Sequence, residues 1–406
     1  MVSFSVEVEN QYIGVSDILN RLSIGYRLGK LMSFPYIHQP FICRRSIPDS
    51  FLKTIEKKVL SSNEDDVFFV AQTFGLDSPD VNSSQLRTQE TVNTVDIAML
   101  LQRDDVTSIN ALKQEIECCQ ETSAAEHLNF LITDEIYEPK VRVKTQHLLG
   151  EGSLAADAAD WSDREFKSFT WHRYWKKQRK TPTVDLFSKD KINVLVHIRC
   201  GDRAWLELKK KSILVHADQF LLLDRREANS SDWRTYIPER LIKTGCFTGK
   251  PVEVKTVKLI LDRMVEEYGE DAFSFTVISD GYQRTIKEVI RGILTGRLRL
   301  SWAEKIQAAK AIINLQRSLM KLRRLPNTSL IIGENSKENF VQSVHAMACA
   351  DVIIKTTGGF SNIHRLLKKP DSRKVCFDAT QIDEQELNNF LENLGCLKTV
   401  NHKAYS

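Results

Sequence analysis

Val194-Leu-Val-His-Ile-Arg199-Cys-Gly-Asp202 carries most of the information about fold class, because a short apolar run ends there in His, Arg, Gly and Asp. Such a run is typical of a strand buried on both faces of a parallel sheet. Ligands of open α/β sheets bind beyond the carboxyl ends of the strands, and the planar fork of Arg199 matches phosphate oxygens. Gly201 would let the backbone approach a ligand, and Asp202 would orient the guanidinium or accept a proton. A solvated turn with an Asp helix cap fits these residues equally well.

Outward from this stretch, apolar runs alternate with helical patterns to the end of the chain. Strands are predicted at about 193–198, 273–278, 328–332, 351–355 and 374–377. Helices are predicted near 253–268, 283–294, 302–323, 337–349 and 361–368, with a final helix near 383–394 that fits either domain. Buried strands that alternate with helices predict an α/β fold with a parallel, doubly wound sheet.

The N-terminal part has a less regular pattern. Strands are predicted at 2–8, 36–38, 67–70 and 128–132, and a helix at 17–31 capped by Ser16 or Asp17. A chain of 406 residues exceeds what one hydrophobic core usually serves. We therefore predict two domains, 1–190 and 191–406.

Composition narrows the class of protein. A hydrophobic fraction of 42% and a charged fraction of 27% are ordinary for a globular chain, and a net charge of +4 is too small to indicate a nucleic-acid partner. The basic clusters Lys209-Lys-Lys211 and Lys321-Leu-Arg-Arg324 are interpreted as solvated faces. Eight cysteines without a C-x-x-C pair favour reduced thiols and a cytoplasmic location. Neither a signal peptide nor a membrane span is predicted, and the oligomeric state is not indicated.

Polar motifs follow three of the predicted strands at equivalent places. Ser279-Asp280 follows the strand at 273–278, and Thr356-Thr-Gly-Gly-Phe-Ser361 follows the strand at 351–355. Since parallel strands present their carboxyl ends at one edge, we expect these motifs and Arg199 to converge on one crevice. The glycine-bearing loop would cradle an anion at the start of a helix. A capped helix start fits the same loop, and Asp280 fits either a helix cap or a contact to a nucleoside.

No metal site is predicted, because the chain has no D-x-D pair and its histidines lack partners at metal-binding spacing. No cofactor is predicted either. If the site acts on a diphosphate without a metal ion, Arg and backbone amides would have to neutralise the charge of the leaving group.

Three motifs resemble those of the fucosyltransferase superfamily, which includes bacterial α1,2- and α1,6-fucosyltransferases and protein O-fucosyltransferases. His197-Ile-Arg-Cys-Gly-Asp202 resembles the H-x-R-x-x-D-type motif of that family. Ala350-Asp-Val-Ile-Ile-Lys-Thr-Thr-Gly-Gly-Phe-Ser361 resembles the later strand and loop, which end in Phe-Ser. Gly14-Val-Ser-Asp-Ile-Leu-Asn20-Arg-Leu resembles the N-terminal glycine loop, G-x-G-N-x-x-x-x-L. The three occur in the family's order.

The resemblance implies a GT-B-like fold, in which two Rossmann-like domains face a cleft, and a metal-independent, inverting reaction with GDP-fucose as donor. Arg199 would clamp the β-phosphate, and His197 would support the diphosphate or ribose. Asp280 would face the nucleoside, and Phe360 and Ser361 would lie against the phosphates. The implied site comprises Arg199 as the catalytic group; His197, Gly201, Asp202, Ser279, Asp280, Thr356, Thr357, Gly358, Gly359, Phe360 and Ser361 at the donor; and Gly14, Asp17 and Asn20 at the cleft.

Two departures from the family pattern bear on this site. Cys200 stands where many members have a second Arg, so one phosphate contact or the acceptor preference is in question. Ser16 and Asp17 replace the second Gly and the Asn of the N-terminal loop, which would approach the donor less closely.

The function predicted from the sequence is transfer of fucose from GDP-fucose to a glycan hydroxyl, with no catalytic base assigned. Two alternatives remain open. One is a GT-B glycosyltransferase that uses another nucleotide sugar, and the other is a catalytically idle protein that binds a sugar nucleotide or a glycan.

Overall fold

The structure is a computed structural model that describes residues 2–8, 15–34, 36, 42–43, 69–77, 92–123, 127–150, 156–180, 186–188, 190–200, 203–216, 219–230, 232–238, 251–332, 337–356, 360–367, 375–381 and 383–404. The chain divides into two units, the first made of residues 1–182 and 362–371 and the second of residues 183–361 and 372–406. Both units contain parallel sheets and helices, which confirms the predicted α/β class.

The first unit is built on a four-stranded parallel sheet with the strand order β2-β1-β4-β3. Its strands are β1 (Val2–Val8), β2 (Ile42–Cys43), β3 (Val92–Asp96) and β4 (His127–Ile132). Its helices are α1 (Val15–Leu31), α2 (Ile97–Gln102), α3 (Ile109–Thr122), α4 (Pro139–Leu148) and α5 (Ala156–Lys180). Helix α1 approaches the sheet closely at Gly25, where a Cβ atom would lie 3.3 Å from Ile132 and 3.5 Å from Phe4.

Three predictions for the first unit are wrong. Helix α1 begins at Val15, so Ser16 and Asp17 lie inside its first turn instead of capping it. Of the strand predicted at 36–38, Tyr36 is not in a strand, and residues 37–38 lie outside the described residues. The second strand in the described part of the chain is Ile42–Cys43.

Residues 69–74 are helical, although a strand was predicted at 67–70. A short apolar run does not by itself distinguish a buried strand from a buried helix. Here the run continues to Ala71 and Phe74, which share a buried helical face with Val70. The spacing i, i+1, i+4 fits that face, so the longer pattern favours the helix.

The second unit is built on a five-stranded parallel sheet with the order β10-β9-β5-β11-β12. These strands are β5 (Ile192–Ile198), β9 (Phe273–Ser279), β10 (Thr328–Ile332), β11 (Val352–Lys355) and β12 (Val375–Asp378). A three-stranded antiparallel sheet, which the sequence did not predict, comprises β6 (Arg203–Glu207), β7 (Lys211–His216) and β8 (Gln219–Asp224). Counted along the chain, the parallel strands lie in the order 3-2-1-4-5 of a doubly wound sheet.

Apart from α6 (Arg225–Asn229), which was not predicted, the helices of this unit follow the predicted pattern. They are α7 (Val254–Tyr268), α8 (Gln283–Leu294), α9 (Trp302–Lys321), α10 (Lys337–Cys349) and α12 (Glu384–Ala404). Helix α11 (His364–Leu367) belongs to the first unit, where Thr170 of α5 donates a hydrogen bond to the carbonyl of Leu366. The final helix, which fitted either domain, packs in the second unit, where the rings of Phe390 and Phe377 are 4.5 Å apart.

The core of the second unit explains the direction of the side chains on β5. Val194, Val196 and Ile198 alternate along the strand and belong to one buried cluster together with residues of α7 and α9. Cys200 continues this alternation and belongs to the same cluster. Because successive side chains of a strand point to opposite faces, His197 lies on the other face of the sheet.

Among the glycines compared in the described part of the first unit, Gly75 leaves the least room for a side chain. Its φ is +67°, and a Cβ atom would lie 2.7 Å from the carbonyl oxygen of Arg173 in α5. Gly75→Ala is therefore expected to lower the free energy of unfolding by about 3 kcal/mol, from left-handed strain and a backbone clash. Gly296→Ala is the matched control, because Gly296 has a similar φ of +72° but an added Cβ atom would meet no atom within 4 Å. Its free energy of unfolding is expected to fall by only about 1 kcal/mol. Denaturant unfolding measures both, and equal losses would contradict the role of the Arg173 contact.

Candidate functional site

The candidate site lies at the topological switch point of the five-stranded sheet. The chain runs from β5 to β9 and β10 on one side, and then crosses to β11 and β12 on the other. The switch point is thus between β5 and β11, which pair in parallel with Lys355 opposite His197. Doubly wound sheets bind their ligands in the crevice at this point, beyond the carboxyl ends of the strands.

Thr356 ties the ends of these two strands together. Its side chain is buried, and its hydroxyl oxygen accepts a hydrogen bond from the backbone N–H of Arg199 at 3.0 Å. The same hydroxyl donates to the carbonyl of His197 at 3.0 Å, and the backbone N–H of Thr356 donates to that carbonyl at 3.2 Å. The structure therefore brings His197, Arg199 and Thr356 together and fixes the backbone from which the guanidinium extends.

His197 is almost completely buried beside this junction. Its ring lies 5.6 Å from the ring of Phe360, which in turn lies 5.9 Å from the ring of Phe340 on α10. Burial, and next the charge of Arg199, lower the pKa of His197 to about 4. The imidazole is therefore neutral at pH 7, and its Nδ1 atom has no hydrogen-bond partner among the described residues.

Cys200 and Ser279 join the ends of β5 and β9. The sulfur of Cys200 lies 2.8 Å from the hydroxyl oxygen of Ser279, which also accepts a hydrogen bond from the N–H of Gly281 at 3.1 Å. Thr285 of α8 donates to the carbonyl of Cys200 at 3.0 Å. Cys200 is only 1% exposed, so its difference from the Arg of the family motif changes the interior of the unit.

Asp280 is exposed directly after β9. Helix α8 begins at Gln283 with Tyr282 as its N-cap residue, so Asp280 does not cap it. The position at the carboxyl edge is compatible with a contact to a ligand.

The loop after β11 leads into less helix than the sequence predicted. Phe360–Ile363 forms one 3₁₀ turn, and α11 adds only His364–Leu367. A helix this short has a small dipole, so it would contribute little to the binding of an anion. Outside the described residues lie Gly14, Gly201, Asp202, Thr357, Gly358 and Gly359.

Asp17 and Asn20 are exposed on α1 of the first unit. The side-chain amide of Asn20 donates to the hydroxyl of Tyr137 at 3.3 Å, and that hydroxyl donates to the carbonyl of Asp17 at 3.2 Å. The guanidinium of Arg21 lies 5.3 Å from the centre of the Tyr137 ring. These contacts fasten the start of α1 to the turn that follows β4.

The sequence did not predict an ion pair between Lys355 and Asp378, which are 3.0 Å apart at the carboxyl ends of β11 and β12. Burial opposes ionisation of Asp378, but hydrogen bonds from Thr380 and Lys355 hold its pKa below the ordinary value. Paired residues of neighbouring strands point to the same face, which places Lys355 on the His197 face of the sheet. The sequence does contain a signal for this ion pair, because each of the two apolar strands ends in a charged residue of opposite sign.

Comparison with known proteins adds no further assignment, because no family model and no curated protein matches the chain. The resemblance to fucosyltransferases stays a prediction that depends on the three motifs. Within the ranges that the structure describes, no three His, Cys, Asp or Glu side chains come together as candidate metal ligands.

Thr356→Val tests the junction between β5 and β11. Valine has nearly the same shape but leaves the N–H of Arg199 without the oxygen that now lies 3.0 Å away. We expect the free energy of unfolding to fall by about 1–3 kcal/mol, as for other buried donors that lose their partner. Thr356→Ser keeps the hydroxyl and is the control. Its free energy of unfolding, measured in urea, should fall clearly less than that of the valine variant. If serine and valine cost the same, the hydroxyl does not hold the junction.

Proposed function

We propose that the carboxyl edge of the five-stranded sheet binds the diphosphate of a nucleotide sugar, and that the protein is an inverting, metal-independent glycosyltransferase that uses GDP-fucose. The observation that carries the proposal is the position of Arg199. Thr356 fixes its backbone at the switch point between β5 and β11, 3.0 Å from the Arg199 N–H. A guanidinium at that point is suited to bidentate contact with phosphate oxygens.

The neighbouring groups support an anionic ligand. His197 is neutral, because its pKa is about 4, so Arg199 supplies the positive charge of this pair. Its buried Nδ1 atom lacks a partner among the described residues, and buried polar atoms are usually satisfied in a complete structure. An oxygen-rich ligand would supply such a partner.

In the proposed reaction an acceptor hydroxyl attacks the anomeric carbon of fucose. The bond between that carbon and the β-phosphate oxygen breaks, and GDP departs with the electron pair. Arg199 and backbone amides stabilise the negative charge on the departing phosphate, which is the main contribution to the rate. The proton of the acceptor passes to a base that we do not assign, and the first unit would present the acceptor in a GT-B-like arrangement.

The position of Cys200 favours an active enzyme over an idle binding protein. A Cys in place of a second Arg suggested a decayed site, but Cys200 is in the core cluster and contacts Ser279. An Arg at this position would bury an unpaired charge, at high cost. A small side chain such as Cys therefore fits this interior, and Arg199 remains as the guanidinium of the proposed site.

Ligand-dependent stability tests the donor class. At a concentration 100 times the dissociation constant, a nucleotide that binds only the folded protein adds about 2.7 kcal/mol to stability. GDP is expected to raise the melting temperature, whereas UDP and ADP at the same concentration are not. Transfer of labelled fucose from GDP-fucose to a panel of glycans then tests the reaction. Protection by UDP alone would assign another donor, and protection by none of the three would remove the nucleotide site.

A further inference from the structure

A second surface of this unit has a charge unlike that of the rest of the chain. Residues 283–324, which comprise α8, α9 and the turns around them, contain eleven Lys and Arg but two Asp and Glu, a net charge of +9. The whole chain carries +4, so all other residues together carry −5. The excess positive charge of the chain is thus concentrated in this segment.

The same two helices expose large apolar side chains. Leu294 at the end of α8 is 80% exposed and Trp302 at the start of α9 is 76% exposed, more than any other large hydrophobic residue that the structure describes. Along α9, Ile306, Ile313 and Met320 are also exposed. At 100° per residue, Trp302 and these three side chains fall within a 40° arc, so they form one apolar stripe.

The stripe is not the core-facing side of the helix. Ala308, Ile312 and Leu319 are buried about 120° around α9 from the stripe and belong to the core cluster of the unit. Two apolar faces on one helix indicate two partners, of which the core is one. We call the exposed residues Ile290, Leu294, Trp302, Ile306, Ile313 and Met320 the α8–α9 surface.

Basic side chains border the α8–α9 surface. Arg297 and Arg299 are exposed in the turn between the helices, and Lys310, Arg317 and Lys321 are exposed beside the stripe on α9. A cleft of about 520 Å³ opens at this turn, and its lining includes Lys211, Arg299 and Lys305.

The single acidic residue of α9 does not offset this charge. Glu304 lies 3.0 Å from Lys211, and its carboxylate accepts hydrogen bonds from the N–H and hydroxyl of Ser301. Hydrogen bonds from Ser301 and Lys211 hold the pKa of Glu304 at about 2. Its charge is committed to the helix cap, so the border of the surface is electropositive.

We propose that the α8–α9 surface docks on an anionic lipid membrane. Protruding apolar side chains with Lys and Arg around them are the pattern of helices that lie in the membrane interface, where the apolar tips insert and the cations contact the headgroups. A second copy of the chain would place the same basic residues against each other. A nucleic acid would contact the cations but leave Leu294 and Trp302 without an apolar partner.

Docking of this kind is peripheral. None of the helices in the described part of the chain has both the length and the apolar character needed to cross a bilayer. Membrane docking is independent of the proposed donor site, because vesicle binding is measured without a nucleotide.

Vesicle co-sedimentation tests the proposal with the full chain. Vesicles of phosphatidylcholine and phosphatidylglycerol at 7:3 are compared with pure phosphatidylcholine, each in about 50 and 500 mM salt. We expect binding to the anionic vesicles alone, and loss of binding at high salt because screening shortens the electrostatic range. Equal binding to both kinds of vesicle, or binding that salt does not change, overturns the role of the basic border.

Two double variants separate the apolar and basic contributions. Leu294→Ser with Trp302→Ser is expected to weaken binding at least tenfold, since both side chains would leave the interface. Arg297→Gln with Arg299→Gln is expected to weaken it roughly 25-fold, at about fivefold for each charge near an anionic surface. All four side chains are exposed, so both variants should melt at the temperature of the parent protein.

Matched controls lie on the first unit. Met99→Ser with Val143→Ser changes two apolar side chains that are 61% and 67% exposed, and Lys176→Gln with Arg179→Gln removes two exposed charges from α5. Neither control should change vesicle binding. The proposal is overturned if the α8–α9 variants bind like the controls, if duplex DNA is bound in place of vesicles, or if Trp302→Ser abolishes a dimer while vesicles are ignored.

Discussion

Arg199→Ala is expected to lower kcat/KM for transfer from GDP-fucose by about 10²–10³-fold, the loss that follows removal of one preorganised donor from a developing oxyanion. Thr356 fixes the backbone of Arg199, and the side chain is half-buried beside a neutral His197. Neutral His197 supplies no positive charge that could replace the guanidinium of Arg199. The leaving diphosphate therefore loses its main cationic contact in the variant.

Initial rates of labelled-fucose transfer, measured over a range of GDP-fucose concentrations, give kcat and KM separately. A group that stabilises the departing phosphate affects kcat, whereas a group that only holds the donor affects KM. Arg199→Lys is the conservative variant, and it should retain part of the activity because it keeps the charge but loses the planar fork. Arg226→Ala is the control for the general effect of losing a positive charge, because Arg226 is exposed on α6. It should leave kcat and KM unchanged. Turnover of Arg199→Ala within threefold of the parent would remove Arg199 from the mechanism.

Most helices and strands of the second unit could be predicted because each depends on a pattern of apolar residues within its own stretch of sequence. A strand buried on both faces is a short apolar run, and the helices between such runs carry one apolar face. Val352–Lys355 and Gln283–Leu294 show these two patterns plainly. The antiparallel strands β6, β7 and β8 were not predicted. The cluster Lys209-Lys-Lys211, which lies at the turn between β6 and β7, was interpreted only as a solvated face of a helix or loop.

The contacts of the site depend on strand order, which no local pattern contains. The sequence predicts that the carboxyl ends of the strands share an edge, but not that β11 lies beside β5. The hydrogen bonds between Thr356, Arg199 and His197 follow from that neighbour relation. The inward direction of Cys200 was not predicted either, although its parity with Val196 and Ile198 along one strand was a local signal for it.

Acidification is expected to cost the second unit about 3 kcal/mol through His197 alone. The pKa of His197 is about 4 in the folded protein, whereas an unfolded histidine titrates near 6.5. Between these values the unfolded chain binds a proton that the folded chain does not bind, so stability falls as the pH decreases. The contribution is present in full above pH 6.5 and is lost by about pH 4.

Urea unfolding at several pH values between 7 and 4 measures this loss, with His197→Gln as the variant in which the ionisable group is absent. His127 is also buried with a lowered pKa, so the difference between parent and variant at each pH isolates His197. The exposed His147→Gln is the control and should leave the pH dependence unchanged. Arg199→Ala should reduce the acid loss without abolishing it, because the charge of Arg199 is the second cause of the lowered pKa and burial is the first. Identical pH profiles for the parent and His197→Gln would show that the imidazole is not held neutral at the switch point.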